Sequence, residues 1–269
     1  MRPLAWAAAG FLILVTAVSL LADVVAPRSY AEQSREELSA PPSARFLLGT
    51  DELGRDRFSR LVHGTRISMI LAPAAALLST VLAALLGGSA GYLGGRWERC
   101  FGTITGVFLS LPWLFLLLTV RALLPLNVTP VISVAVTFLL LGCLGWAMPA
   151  RIIRAGARTL VNADYLLQAR AGGGGGMRLF CLHVLPNLRP LLFAQFWLAV
   201  PVFILSEANL GLLGLGVAEP LPSWGSMLRE LENYETVSRS PWMLVSVALL
   251  IVVMGCFQVV LRSKEMTAA

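Results

Sequence analysis

The side chains that could do chemistry in this 269-residue chain are few and far apart. The only histidines are His63 and His183, and the four cysteines do not have the spacing of metal ligands. Five consecutive glycines occupy positions 172–176, but the Lys-Ser/Thr pair that completes a phosphate-binding loop does not follow them. No Ser-His-Asp arrangement or pair of carboxylates is visible. These residues indicate a protein without an active site of its own.

One acid and one polar interval are the better candidates for function. Glu207 lies near the end of an apolar run, where an acid is usually functional or paired, although a solvated acid at the membrane interface is the alternative. Residues 164–187 read DYLLQARAGGGGGMRLFCLHVLPN and separate two apolar blocks. A short, basic and structured loop between membrane spans suggests contact with another protein.

The composition shows which elements must position these residues. The chain is 57% hydrophobic and 13% charged, whereas a soluble domain carries about 25% charged residues. Successive apolar runs of about 20 residues are typical of a polytopic helical membrane protein. An all-α fold with six transmembrane helices is therefore predicted, at residues 4–26, 67–92, 101–124, 131–150, 190–213 and 241–261.

The segments around these spans complete the predicted organisation. The first helix occupies 1–26, an extracytoplasmic segment 27–66, a core domain with a loop at 151–189 occupies 67–261, and a tail 262–269. Apolar residues at helical spacing within 56–67 predict either a short amphipathic helix at the interface or the start of the next span. Gly87, Gly91 and Gly95 form a small-residue face that permits close helix contact, within this chain or with a partner.

The distribution of basic residues predicts the orientation. With the amino terminus in the cytoplasm, both termini and the segments 96–99 and 151–189 lie there, and they hold eleven of the 21 Lys and Arg residues. Arg151, Arg154 and Arg158 share one helical face, as expected where a helix leaves the bilayer on its positive side. The net charge of +6 is therefore read as an orientation signal, and no nucleic-acid partner is expected.

Three stretches, which together extend over nearly the whole chain, resemble the permease subunits of bacterial ABC importers. Specifically, they resemble the second (C-type) permease of the dipeptide/oligopeptide/nickel group. LGTDELGRD at 48–56, continued by SRL at 59–61 and GTRIS at 64–68, resembles the segment before the second span of that family. SEANLGLLGLG at 206–216 and PSWGSML at 222–228 resemble its EAALSFLGLG and P-x-WGxML signatures.

The third stretch is the interval 164–187. In such permeases a cytoplasmic motif reads EAA, three residues, Gly, nine residues, an apolar residue, any residue and Leu-Pro. The resemblance assigns ATPase coupling to Asp164, Leu167, Gln168, Ala169, Gly173, Arg178, His183, Leu185 and Pro186. Leu167 replaces the glutamate of the motif, and Asp164 precedes it by three residues. Glycines also fill the helix-forming positions 174–176, and each costs about 1 kcal/mol of helix stability relative to alanine.

The resemblance implies a type I ABC importer permease-like bundle in the bacterial plasma membrane. It implies a coupling helix that docks on an ATPase subunit, and a permease that forms half of the translocation pathway. The implied partners are a second homologous permease, two ATPase subunits that use ATP and Mg, an extracytoplasmic substrate-binding protein and membrane lipid. No cofactor is expected in this chain. The resemblance assigns the outer pathway to Glu207, Gly214, Gly216, Trp224 and Gly225.

The sequence leaves the substrate open. Di- or oligopeptides are expected, and nickel or a metal chelate is the alternative, because the same signatures occur in both groups. An ATPase-independent channel or membrane scaffold is the alternative from another class of protein. Neither composition nor motif spacing separates these possibilities.

Overall fold

The computed structural model describes residues 2–123, 128–171 and 176–268. Over these ranges the chain is helical, and apart from an isolated bridge between Thr50 and Asp56 it contains no β-structure. The α-helices are α1 (Arg2–Leu20), α2 (Ala22–Val25), α3 (Arg57–Leu93), α4 (Gly95–Ser110), α5 (Trp113–Leu123), α6 (Pro130–Leu144), α7 (Ala147–Val161), α8 (Asp164–Ala171), α9 (Gly176–Leu179), α10 (Leu185–Asn187), α11 (Arg189–Leu212), α12 (Trp224–Arg229), α13 (Tyr234–Arg239) and α14 (Val245–Ala268). A π-helical turn covers Phe180–Val184, and 3-10 turns cover Glu230–Glu232 and Pro241–Leu244.

The predicted all-α fold with six spans is confirmed, with one of the spans broken. Among the described residues, five helical stretches are long and apolar enough to cross a membrane: Pro3–Leu20, Arg57–Leu93, Pro130–Val161, Arg189–Leu212 and Pro241–Ser263. The third predicted span consists of α4 and α5, which meet at an angle of 86°. Pro112 explains the break, because proline disfavours helical conformation at the residue before it, and Leu111 is extended with ψ 132°.

The predicted separate amphipathic helix before the second span is wrong. Residues 57–67 are instead the first turns of α3, the ordinary helix start that the sequence also allowed. Asp56 begins this helix, because its Oδ2 accepts a hydrogen bond from the Ser59 backbone N–H at 2.9 Å. No glycine run or proline interrupts the helix before Pro73, so it continues into the span.

The chain divides into two compact units. The first comprises Met1–Ala72, Leu124–Thr137 and Ile204–Ala269, and within it α1 packs along α14. The second comprises Pro73–Leu123 and Phe138–Phe203, and within it α4 packs on α7.

The small-residue face of α3 makes its close contact within the second unit. A Cβ added to Gly87 would lie 2.8 Å from the carbonyl carbon of Ala150, and one added to Gly91 would lie 2.9 Å from the Cβ of Ala157. Gly95 is instead the first residue of α4, and no described atom lies within 4 Å of a Cβ added there. Two of the three predicted glycines therefore pack against α7 of the same chain, and the third does not contribute.

Candidate functional site

The interval 164–187 folds onto the core of the second unit. Its buried side chains share one hydrophobic cluster with α3, α4 and α7. The members of this cluster are Ala83, Ala90, Tyr92, Phe101, Ala150, Ile153, Ala157, Leu166, Leu179, Phe180, Val184 and Leu188. Tyr92 and Phe180 also contact each other through their rings, with centroids 5.6 Å apart. The interval is therefore anchored to membrane helices along its inner face.

The π-helical turn reflects the local sequence. In a regular α-helix the ring of Pro186 would press against the carbonyl of Leu182, four residues earlier. The chain widens immediately before the proline instead, and the Leu185 N–H donates to the carbonyl oxygen of Phe180, five residues back. Phe180 and Val184, at the two ends of this turn, are both buried.

The outer face of the same interval is exposed. Asp164, Gln168 and Arg178 are exposed, as are the large apolar side chains of Met177 and Leu182, at 76% and 58%. Exposed apolar groups beside charges suit a contact with another protein. The interval thus presents a mixed surface on one side and a packed one on the other.

The predicted coupling residues fall on different parts of this surface. Ala169 is partly buried against the cluster, and His183, Leu185 and Pro186 are half-buried. Leu167 lies within α8, and Gly173 lies outside the described residues. The sequence interpretation missed Leu166, Phe180 and Val184 as the anchors of the interval. Their signal was their apolar character within an otherwise polar segment.

An ion-pair cluster ties α4 to α7 beside this interval. Glu98 accepts hydrogen bonds from Arg154, at 3.0 Å, and from Arg158. Arg151 is exposed. Two of the three arginines that share one face of α7 are therefore neutralised within the chain.

In the first unit, the two other motif stretches meet. The carboxylate of Asp51 organises the first stretch, since it accepts hydrogen bonds from the backbone N–H groups of Leu53 and Arg55 at 2.9 and 2.8 Å. Its second oxygen accepts from Arg55 Nε at 2.6 Å. Nη1 of the same guanidinium donates to Glu219, which lies between the two segments of the second stretch.

Three arginines and three carboxylates form a network here, which we call the Arg60 network: Asp51, Arg55, Arg57, Arg60, Glu219 and Glu230. Arg60 is its centre, only 1% exposed, with Nη2 at 3.1 Å from Glu219 Oε1 and 3.5 Å from Glu230 Oε1. Arg57 Nη1 donates to Glu230 Oε2 at 2.8 Å. The first motif stretch already contained Asp51, Arg55 and Arg60, but the sequence analysis missed the two glutamates. Their signal was their charge in a chain with few charges.

Burial and pairing set the charge states in this network. Burial raises the pKa of Glu230 above its ordinary value of 4.5, and the charges of Arg57 and Arg60 oppose that rise. Burial is the largest single effect on Arg55 and disfavours its charge, but the hydrogen bonds and charges of Asp51 and Glu219 together outweigh burial, so the pKa of the guanidinium is raised. Arg55 therefore stays charged, and burial moves the titration of Glu230 to higher pH.

The glycines and tryptophan of the second stretch pack around the end of α11. Trp224 is buried, and its Nε1 donates to Thr65 Oγ1 at 3.0 Å. A Cβ added to Gly225 would lie 2.8 Å from the Cα of Gly211, and one added to Gly216 would lie 2.6 Å from the same atom. Gly214 ends the helix with φ +74°. Only glycine fits this close approach of three backbone segments.

Glu207 lies beneath this packing and is fully buried, so the alternative of a solvated interfacial acid is wrong. Its Oε2 accepts a hydrogen bond from Ser68 Oγ at 3.5 Å. Its Oε1 has no hydrogen-bond partner among the described residues. The backbone of α12 approaches this carboxyl group closely, since a Cβ added to Gly225 would lie 3.0 Å from Oε1.

Known proteins share this sequence pattern. The family model described as binding-protein-dependent transport system inner membrane component matches residues 67–264. The di/tripeptide transport system permease protein of Pseudomonas aeruginosa (strain UCBPP-PA14) is 38% identical over 241 residues, covering 86% of this chain and 76% of that protein. The dipeptide transport system permease protein of Bacillus subtilis (strain 168) is 34% identical over 228 residues, covering 84% and 69%. The nickel transport system permease protein of Escherichia coli (strain K12) is 34% identical over 194 residues, covering 72% and 68%.

Proposed function

This chain belongs to the family of binding-protein-dependent transport system inner membrane components, and from that membership we propose that it is the permease subunit of an ATP-driven peptide importer. It forms half of the translocation pathway for di- or oligopeptides and catalyses no reaction itself. ATP and Mg are used by partner ATPase subunits. Both termini lie in the cytoplasm, in agreement with the positive-inside distribution of Lys and Arg.

The observation that carries this proposal is the two-sided structure of the interval 164–187. Its inner face shares a buried cluster with α3, α4 and α7, while its outer face exposes Met177 and Leu182. Packed side chains transmit displacement because protein interiors are dense and deform little. An ATPase subunit that binds the outer face would move these membrane helices as a rigid body.

The remaining partners follow from the same proposal. A second homologous permease completes the pathway, and an extracytoplasmic binding protein delivers the substrate. The Arg60 network holds the first and second motif stretches together, and Glu219 remains half-exposed at its edge. Glu207, Gly214, Gly216, Trp224 and Gly225 then belong to the outer part of the pathway.

The names of the relatives support the peptide substrate. The relatives named as dipeptide or oligopeptide permeases include the 38% identical protein, which covers 86% of this chain. The nickel permease covers 72% of this chain, and nickel transport is the second candidate. Uptake of radiolabelled dipeptide and of nickel by the same reconstituted importer distinguishes the two.

The missing glutamate of the coupling motif gives a test of the proposal. We expect Leu167→Glu to raise the substrate-stimulated ATPase activity of the assembled importer by about threefold, which corresponds to roughly 0.7 kcal/mol. Leu167→Gln is the matched control, because it adds a polar group without a charge. Equal activity of both variants would exclude a role for the acid, and failure of the chain to co-purify with an ATPase subunit would favour the channel or scaffold alternative.

A further inference from the structure

A cavity of about 420 Å³ lies within the second unit, at the break between α4 and α5. Its volume is in the range of sites for small molecules. The aromatic rings of Phe108, Trp113 and Phe203 form part of the wall, with Trp113 and Phe203 stacked 6.4 Å apart. The rest of the wall is mostly aliphatic, and none of the lining residues carries a charge.

The helix break itself contributes to this cavity. Leu111, which is extended, and Trp113, the first residue of α5, both line it. Non-helical backbone inside a membrane span is tolerated where it is buried in protein or lines a cavity. Broken helices of this kind also form the substrate sites of other transporters. The break therefore leaves a space inside the span, and this space is the cavity.

Gln195 is the polar side chain that points to a ligand. It is only 8% exposed and lines the cavity, and it is the residue of the wall whose side chain carries an amide. A hydrocarbon chain cannot satisfy this amide, whereas a peptide bond offers both a donor and an acceptor.

We propose that this cavity binds an apolar side chain of the peptide in transit, and that Gln195 hydrogen-bonds to the peptide backbone beside it. The inference rests on the proposed function and adds a specificity to it. The aromatic and aliphatic wall favours peptides with large apolar side chains over diglycine. The uncharged wall also offers no ionic contact for a hydrated metal cation.

The test compares diphenylalanine with diglycine in proteoliposomes that contain the assembled importer and its binding protein. Ala199 is buried and lines the cavity, so Ala199→Phe fills the space. We expect the ratio of the initial uptake rates, diphenylalanine to diglycine, to fall about tenfold, because burying an aromatic side chain favours binding by at least this factor. Ala194→Phe is the matched control, since Ala194 is exposed on the same helix outside the cavity and its ratio should not change.

A second variant keeps the test independent of how well the larger side chain fits. Gln195→Leu preserves the size and removes the amide, and we expect it to lower uptake of both peptides about threefold to tenfold. Gln258→Leu, at an exposed position of α14, should leave both rates unchanged. An unchanged ratio in Ala199→Phe together with unchanged rates in Gln195→Leu would overturn the inference.

Two further outcomes are distinguishable. If Ala199→Phe loses a co-purified phospholipid while the peptide ratio stays constant, the cavity is a lipid site and the inference is overturned. If the wild-type importer takes up neither peptide, the proposed function fails, and the inference fails with it. Peptide uptake by the wild type with no effect of either variant overturns the inference alone.

Discussion

Replacing Arg60 by methionine is expected to destabilise the chain by about 3 kcal/mol, because it leaves carboxylates of a buried network without their central cation. Arg60 is almost fully buried and is close to Asp51, Glu219 and Glu230 at once. This value is the lower end of the range of about 3–5 kcal/mol for removing one partner of a buried ion pair. The lower end applies because Glu219 is half-exposed and water can solvate it. The free energy of unfolding in detergent, measured by chemical denaturation, checks this value.

The pH dependence gives this prediction a second readout. Burial already raises the pKa of Glu230, so the contribution of this residue to stability is full below pH 4.5 and is lost as the pH rises through the folded-state pKa. The positive charge of Arg60 limits this increase in the pKa. Without Arg60 the pKa of Glu230 is raised further, so the loss of stability continues to higher pH. The destabilisation should therefore be larger at pH 8 than at pH 5.

Arg45→Met, which removes an exposed pair with Glu37, should change stability by less than about 1 kcal/mol, and an equal effect of both variants would contradict the buried network.

Replacing Gly87 by leucine is expected to destabilise the second unit by about 3 kcal/mol or more, because the new side chain meets backbone rather than a movable side chain. The carbonyl carbon and Cα of Ala150 lie 2.8 and 2.9 Å from an ideal Cβ at this position. Separation of α3 from α7 would also loosen the cluster that anchors the interval 164–187. We therefore expect a lower yield of complex with the ATPase as well as a lower unfolding midpoint.

Gly102→Leu is the control for helix propensity. Gly102 lies inside α4 of the same unit, and no atom of the described residues lies within 4 Å of an added Cβ. Leucine forms helices better than glycine, so this variant should be as stable as the wild type or slightly more stable. If Gly87→Leu behaved like Gly102→Leu, the close contact between α3 and α7 would be incorrect.

The sequence predicts the helices better than it predicts their partners. The length of each apolar run places the spans, and Pro112 marks the point where the third span breaks. The angle of the bend cannot be predicted from the local sequence, because it depends on how α4 and α5 pack. In the same way, the charges of Arg60 and Glu219 are visible, but their pairing across 159 residues is set by tertiary structure.

The candidate site shows the same division. The resemblance predicted a coupling helix within the interval 164–187, and the structure has α8 before the glycine run and α9 from its last glycine, Gly176, onwards. Which side chains face inward depends on α3 and α7, so Leu166 and Val184 could not be identified as anchors from the motif. Gln195 lies inside an apolar run, so the sequence alone did not identify it as a candidate binding residue. It became a candidate because it lines the cavity.

Photo-crosslinking from the interval 164–187 tests the central claim most directly. In one variant benzoylphenylalanine replaces Leu182, whose side chain is exposed. In a second variant it replaces Leu47, which is also exposed and lies in the segment expected outside the cell. In the assembled importer, illumination should link position 182 to an ATPase subunit and should not link position 47 to it. A link to the ATPase from position 47, or none from position 182 in a complex that hydrolyses ATP and transports peptide, would contradict the assignment of this interval as the coupling element.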